Sequence, residues 1–248
     1  MRVYDRALST EEIKRLYTHE MRRTEPAFLK KGLVAYYPFN GNAKDESGND
    51  SDGQLIGATL TEDRFGKAKS ALKTGRVNGR IAHMKAPDAK LPMGDSARTV
   101  SCFFKADQVT LPHLHECFVI GYGAMRFNQG FYIIENGAAN AQNGQFFFSQ
   151  WGEGIDIKKL NAKQWYMITV TYQDGELVAY VDGKEIVRTK KLSSNRPLKL
   201  ATSHGSLTVG GLVNERWLPG TLDDVRIYDR ALSVDEVKEL YNWEKLKP

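Results

Sequence analysis

The chain has 248 residues, 41% of them hydrophobic, and its 35 Lys and Arg against 30 Asp and Glu leave a net charge of +5. That length and apolar content allow one large β domain, or two small ones, with a substantial core. No stretch approaches the roughly 20 apolar residues that span a bilayer and the first residues carry no apolar leader, so no membrane insertion is expected.

From the N-terminus, Arg2 to Tyr4 alternates β-branched and aromatic residues and reads as a strand. Ser9 followed by Glu12 is a capping box, which opens a helix with Ile13, Leu16 and Tyr17 on one face. A charged connector runs from Met21 to Pro26 before a new unit opens at Gly32. Residues 2–17, RVYDRALSTEEIKRLY, return at 226–241 as RIYDRALSVDEVKELY, identical at eleven of sixteen positions. A short self-match with nothing comparable between its copies marks 1–24 as the closing strand and helix of a preceding unit, and 25–248 as one full domain. The remnant shares the sequence of the domain's own closing element, so strand or helix swapping through residues 1–17 is expected.

Between the copies, short apolar or alternating runs are punctuated by Gly, Asn and Asp. Residues 33–39, 99–105, 117–122, 131–134, 146–151, 165–172, 177–181, 207–209 and 222–228 read as strands. Asp174-Gly175 and Asp182-Gly183 place two tight hairpins in a three-stranded meander over 165–188. So many strands at regular spacing predict an all-β protein, two antiparallel sheets packed as a jelly-roll sandwich, with short helices at the two termini. Residues 64–90 hold eight cations (Arg64, Lys67, Lys69, Lys73, Arg76, Arg80, Lys85, Lys90) and few acids, either a solvated face or an anionic-partner surface. No nucleic-acid motif accompanies them, and no nucleic-acid partner is expected. Two cysteines, Cys102 and Cys117, are too few for a disulfide framework; one bridge or two buried thiols both fit.

Four motifs in order carry a family resemblance over about 32–241: Leu33 to Gly48 (LVAYYPFNGNAKDESG), Asp63 to Ala68 (DRFGKA), Trp165 to Lys184 with its Tyr-Val-Asp-Gly hairpin, and Leu222 to Ser233 (LDDVRIYDRALS). Together they resemble the laminin-G-like, concanavalin A-like lectin/glucanase jelly rolls of bacterial extracellular proteins. The resemblance implies a curved two-sheet domain, extracellular or at a cell surface, of the kind appended to secreted glycoside hydrolases and adhesins.

Three sites follow. Asn40, Asn42, Asp45, Ser47 and Asn49 put oxygens in a Gly-punctuated loop, as hard cations require, though an Asx-turn network would use the same residues. The resemblance adds a structural Ca²⁺ near a sheet edge and brings the closing strand to this loop, which gives Asn40, Asp45 and Asp223 as metal ligands. A sugar-binding face needs flat aromatics and a few fixed polar groups. Tyr122, Arg126, Asn128, Gln150, Trp151, Asn214, Arg216 and Trp217 are its candidates, led by Trp217 in a polar loop. Trp151 fits core equally well, and Trp165 is assigned to core. His113-Leu-His115 has a metal-like spacing but reads as surface histidines.

Retaining glycoside hydrolysis needs two carboxyl groups about 5 Å apart. Glu153 and Asp156 have the wrong spacing, and adjacent Asp223 and Asp224 are expected on opposite faces of a strand. Lyases of this fold cluster Arg, Gln, His and Tyr on concave strands, which Arg126 and Tyr132 approach only remotely. The expected function is therefore a non-catalytic module binding a glycan or polysaccharide; the alternatives are a protein-adhesion or spacer module and, behind these, a polysaccharide-degrading enzyme.

Overall fold

The protein's structure, a computed structural model, describes residues 3–21, 25–108, 117–124, 126, 129–136, 145–149, 154–212, 216–217 and 219–246. Its strands are β1 (Leu33–Tyr37), β2 (Gln54–Ile56), β3 (Thr59–Thr61), β4 (Ala71–Val77), β5 (Arg80–Ala86), β6 (Arg98–Ala106), β7 (Cys117–Gly123), β8 (Gly130–Asn136) and β9 (Gln145–Ser149). They continue as β10 (Gly154–Lys159), β11 (Tyr166–Gln173), β12 (Glu176–Val181), β13 (Lys184–Thr189), β14 (Leu207–Val209), β15 (Gly211–Leu212), β16 (Arg216–Trp217) and β17 (Gly220–Tyr228). Helices α1 (Thr10–Met21) and α2 (Val234–Lys245) flank them. Among the described residues no helix is long and apolar enough to cross a membrane.

The strands form two antiparallel layers. The first runs β13-β12-β11-β6-β17, with β1 and β4 both pairing β17 and β3 on β4; the second runs β10-β9-β8-β7-β14-β5, with β2 on the outer edge of β5. Side chains alternate across each strand. Val100, Cys102, Ile168, Val170 and Ile227 of the first layer therefore meet Met84, Tyr122, Phe131, Ile133 and Val209 of the second in one core. Both hairpins of the expected meander form, and Asp174, Gly175, Asp182 and Gly183 all have positive φ, as a type I′ turn requires.

The basic stretch holds a feature missed from sequence. Residues 71–86 are a hairpin, β4–β5, whose Asn78-Gly79 turn has φ 50° and 79°, and it carries the chain from the first layer to the second. On β17 the register breaks between Asp223 and Arg226 with Asp224 at φ 46°, a bulge in the middle of the layer.

Helix α2 closes the outer face of the first layer. Ser233 and Glu236 form a complete capping box, and Val237 and Leu240 are buried against Phe103, Met167, Val178, Tyr180 and Tyr228. At the other end of the chain, Val3 and Tyr4 are irregular and exposed, with no partner strand, so the strand expected over 2–4 is not formed by its described residues. Helix α1 forms with its own capping box. Trp165, assigned to core, packs half-buried against the α2-side core cluster on the same face as Met167, with Lys105 Nζ 4.9 Å from its ring centroid. Cys102 and Cys117 are both fully buried and are not bridged to each other.

Candidate functional site

The loop after β1 is held by its own side chains. Asp45 Oδ1 accepts the Tyr36 and Ser47 backbone N–H groups, each at 2.9 Å, and Oδ2 accepts Ser47 Oγ at 2.9 Å and Ser51 N–H at 3.2 Å. Asn42 Oδ1 accepts the Lys44 N–H at 2.7 Å. These are Asx-turn bonds that fold the loop back on β1. Asn40 and Asp223 line one cavity of about 270 Å³ beside it, of which Asp45 is not part. In that cavity Lys67 Nζ donates to Asn40 Oδ1 at 3.1 Å, and the Arg64 guanidinium donates to Asp223. Cations of the chain thus face these oxygens, and an ion bound to all three residues would have to displace Arg64 and Lys67.

Arg64 is the centre of a buried charge cluster that sequence reasoning did not find. Its Nη1 pairs with both Asp223 and Asp224 (2.8 Å to the latter), and its Nη2 with Glu244 Oε2 at 2.9 Å. Arg226 Nη2 meets Glu244 Oε1 at 2.6 Å, and Tyr36 donates its hydroxyl to Asp224 Oδ1 at 2.6 Å. Burial alone lowers the pKa of Arg64, but the facing Asp224, Asp223 and Glu244 carboxylates outweigh it and hold the guanidinium charged. The bulge at Asp224 explains a correction: the adjacent aspartates, expected on opposite faces, both reach Arg64 because the alternation breaks between them. Their carboxylates are committed to holding α2 on the sheet.

Among the sugar-face candidates, Tyr122 is core. It is fully buried, stacks on Phe131 at 6.0 Å and accepts a hydrogen bond from Arg98 Nη1 at 3.2 Å, while burial pushes its hydroxyl up to about 12. A register shift between Phe118 and Ile120 sets which β7 residues face inward. Arg126 is exposed in the turn between β7 and β8. Asn128, Gln150, Trp151 and Asn214, with His113, His115 and Glu153, lie outside the described residues.

Trp217 falls on a built surface. Gly210 turns the chain out of β14 at φ 84°, and Gly211 lies on the outward residues of β5, where a Cβ would come within 2.5 Å of Ile81 Cγ2 and 3.3 Å of His83 Cβ. The β15–β16 ribbon pairs Gly211 with Trp217 and Leu212 with Arg216, so Trp217 stands half-exposed over this outer face of the second layer. Ile81, His83 and Lys85 point outward along β5. Register adds Ile56 beside His83, and Gln54 and Thr208 on either side of Lys85. Burial, with Lys85 adding to it, holds His83 below its ordinary value, so a neutral ring is available for hydrogen bonding.

The same row crosses Gly121 to Tyr132. The Tyr132 ring lies across Gly121 and Gly130, where a Cβ at either would overlap it, and its hydroxyl donates to Gly123 O at 2.8 Å. Phe118 meets that ring edge-on at 5.0 Å. Both rings are about 1% exposed, so they stiffen the middle of the face, and the accessible groups are Gln54, His83, Lys85 and Trp217. This arrangement offers an aromatic wall, neutral donors and acceptors, and one cation.

A family model described as the concanavalin A-like lectin/glucanases superfamily matches residues 78–238. Solved structures share the fold. Domain 4 of AbnA, a GH43 extracellular arabinanase from Geobacillus stearothermophilus in complex with arabinotriose, is 22% identical with a TM-score of 0.63, over 84% of this chain and 98% of that one. The binding domain of botulinum neurotoxin DC in complex with rat synaptotagmin II is 14% identical with a TM-score of 0.64, over 88% of this chain and 52% of that one, so this chain spans about half its length. A mutant of Trypanosoma rangeli sialidase displaying trans-sialidase activity is 15% identical with a TM-score of 0.62, over 87% of this chain and 33% of that one. No curated protein matches by sequence.

Proposed function

The chain belongs to the concanavalin A-like lectin/glucanases superfamily, and from that premise we propose that it is a non-catalytic extracellular recognition module that binds a glycan. The observation that carries the reading is the β15–β16 ribbon, which holds Trp217 half-exposed beside Ile81 and His83 on the face that Gln54 and Lys85 share. An aromatic face stacks on the apolar side of a pyranose or furanose ring, while the polar groups select hydroxyls. The arabinotriose complex of a domain that this chain matches over nearly its whole length supports the ligand class by analogy of fold. The Asp223 and Asp224 carboxylates are tied to Arg64, which favours recognition over hydrolysis at that position.

A broad panel of immobilised glycans, probed with the full chain, tests the proposal. Binding to at least one carbohydrate is expected, and a panel without binding would turn the reading toward a protein-adhesion module, for which the synaptotagmin complex of a similar fold is the precedent. Release of reducing sugar or unsaturated product would instead make it an enzyme. A structural calcium ion on the loop of Asn40 and Asp45 is a separate proposal, and an ion there would replace loop hydrogen bonds and stabilise the folded state by mass action. A melting temperature unmoved by chelation would exclude it.

A further inference from the structure

The two copies of the internal repeat have the same local structure and opposite surroundings. In α1, Ser9 N–H donates to Glu12 Oε2 at 2.9 Å and Glu12 N–H to Ser9 Oγ at 3.2 Å; in α2 the matching distances are 2.8 and 3.2 Å. Arg6 Nη1 donates to Glu12 at 3.0 Å, as Arg230 Nη1 does to Glu236 at 2.8 Å. The apolar faces then diverge. Val237 and Leu240 are fully buried and Tyr241 is half-buried, whereas Ile13 and Tyr17 are 54% and 63% exposed. In sequence the match continues past the sixteen residues, since Glu20 occupies the position of Glu244, the buried acid that receives Arg64 and Arg226, and Arg2 that of Arg226.

We propose that residues 2–20 are a docking element for a second unit of this same fold, completing its outer sheet face as 226–244 complete this one. The repeat itself fixes the occupant. The surface of Phe103, Met167, Val178 and Tyr180 accepts Val237, Leu240 and Tyr241, and Ile13, Leu16 and Tyr17 differ from that set by one methylene. An acid at position 20 complements a guanidinium placed as Arg64 is here. Within this chain the face is filled by α2, Ile13 and Tyr17 of α1 are exposed, and a free helix of this length is marginal without a surface to dock on. A partner of unrelated chemistry would not require the capping box, the arginine brace and the buried acid to be repeated together.

The full chain supplies both halves of the test. Leu240→Ala thins the hold of α2 and opens its face to α1 of a second copy. Sedimentation and thermal melts are compared for the unchanged chain, Leu240→Ala, Ile13→Asp with Leu16→Asp, and the triple variant. Because Ile13 and Tyr17 of the α1 stripe are largely exposed in the monomer and Leu16 is only half-buried, the aspartate pair should shift the melting point of the unchanged chain by no more than about 2 °C. Leu240→Ala should self-associate at least about tenfold more tightly than the unchanged chain, and the aspartate pair should abolish that gain. A Leu240→Ala chain that stays monomeric, or associates regardless of residues 13 and 16, overturns the proposal. A labelled peptide of residues 1–21 gives an independent reading: it should bind the Leu240→Ala chain and lose binding with the two aspartates, and no binding of the unmodified peptide also overturns it.

Discussion

Glu244→Gln keeps the volume of a fully buried side chain and removes one of the three acids that face Arg64 and Arg226. The carboxylate gives Oε2 to Arg64 Nη2 at 2.9 Å and Oε1 to Arg226 Nη2 at 2.6 Å. An amide has one oxygen for those two guanidinium groups and must turn its NH₂ against the other. Removing one partner of a buried charge set costs about 3–5 kcal/mol, and since Asp223 and Asp224 still hold Arg64, about 3 kcal/mol is expected. For a chain of this size roughly 2–4 °C accompanies each kcal/mol, so the melting point should fall by about 6–12 °C. Thermal and urea unfolding of Glu244→Gln, Arg226→Met and the double variant would measure it, with a coupling of about 1–3 kcal/mol between the sites. A fall under about 2 °C, or strict additivity, would refute the claim that this cluster fastens α2 to the sheet.

Arg98 is fully buried and spends its guanidinium donors on Ser96, Met93 and Gly94 carbonyls, Tyr122 Oη and Thr202 Oγ1, so Arg98→Lys, with three donors from one point, should cost about 2–4 kcal/mol in urea unfolding. A loss below about 0.5 kcal/mol would contradict it. Burial pushes the Cys102 thiol up to about 12, and Cys117 is equally enclosed, so a thiol reagent at mildly alkaline pH should modify neither until the chain unfolds; prompt reaction of the native protein would be inconsistent with this packing. Burial raises the Glu236 carboxyl, but the Arg230 and Ser233 hydrogen bonds outweigh it and leave the folded value below the ordinary one. Its stabilisation is therefore complete above the unfolded value of about 4.3 and is lost as pH falls through the folded value. The melting difference between the unchanged chain and Glu236→Gln should shrink on acidification, and a difference that widened would reverse the sign of the argument.

Local chemistry was legible in the sequence where one turn or cap decides the conformation. Asp174-Gly175, Asp182-Gly183 and both Ser-x-x-Glu boxes carry their geometry in adjacent residues, and all four form. Asn78-Gly79 carries the same hairpin signal, but it lies inside a run of cations that reads equally as a charged face. Period-two alternation failed where the backbone inserts a residue. The bulge at Asp224 turned neighbouring acids toward one arginine, and the shift before Ile120 belongs to a strand whose Tyr122 faces the core. The Arg64 cluster joins residues 159 and 180 positions apart, a distance over which no local pattern reports. The outer face with Trp217 is half visible in sequence: the tryptophan stands out in its polar loop, while Gln54, His83 and Lys85 come onto one face only through the pairing of β2, β5 and β14.

Titration of a panel-positive oligosaccharide into the full chain, Trp217→Ala and Arg188→Ala tests the central claim most directly. Arg188 lies on the opposite layer, braced by Glu176 and Glu185, and serves as the control. Loss of an aromatic stack worth about 1.4 kcal/mol or more should weaken Trp217→Ala at least about tenfold and leave Arg188→Ala unchanged. Unchanged binding by Trp217→Ala, or loss confined to Arg188→Ala, would contradict recognition on the outer face of the second layer.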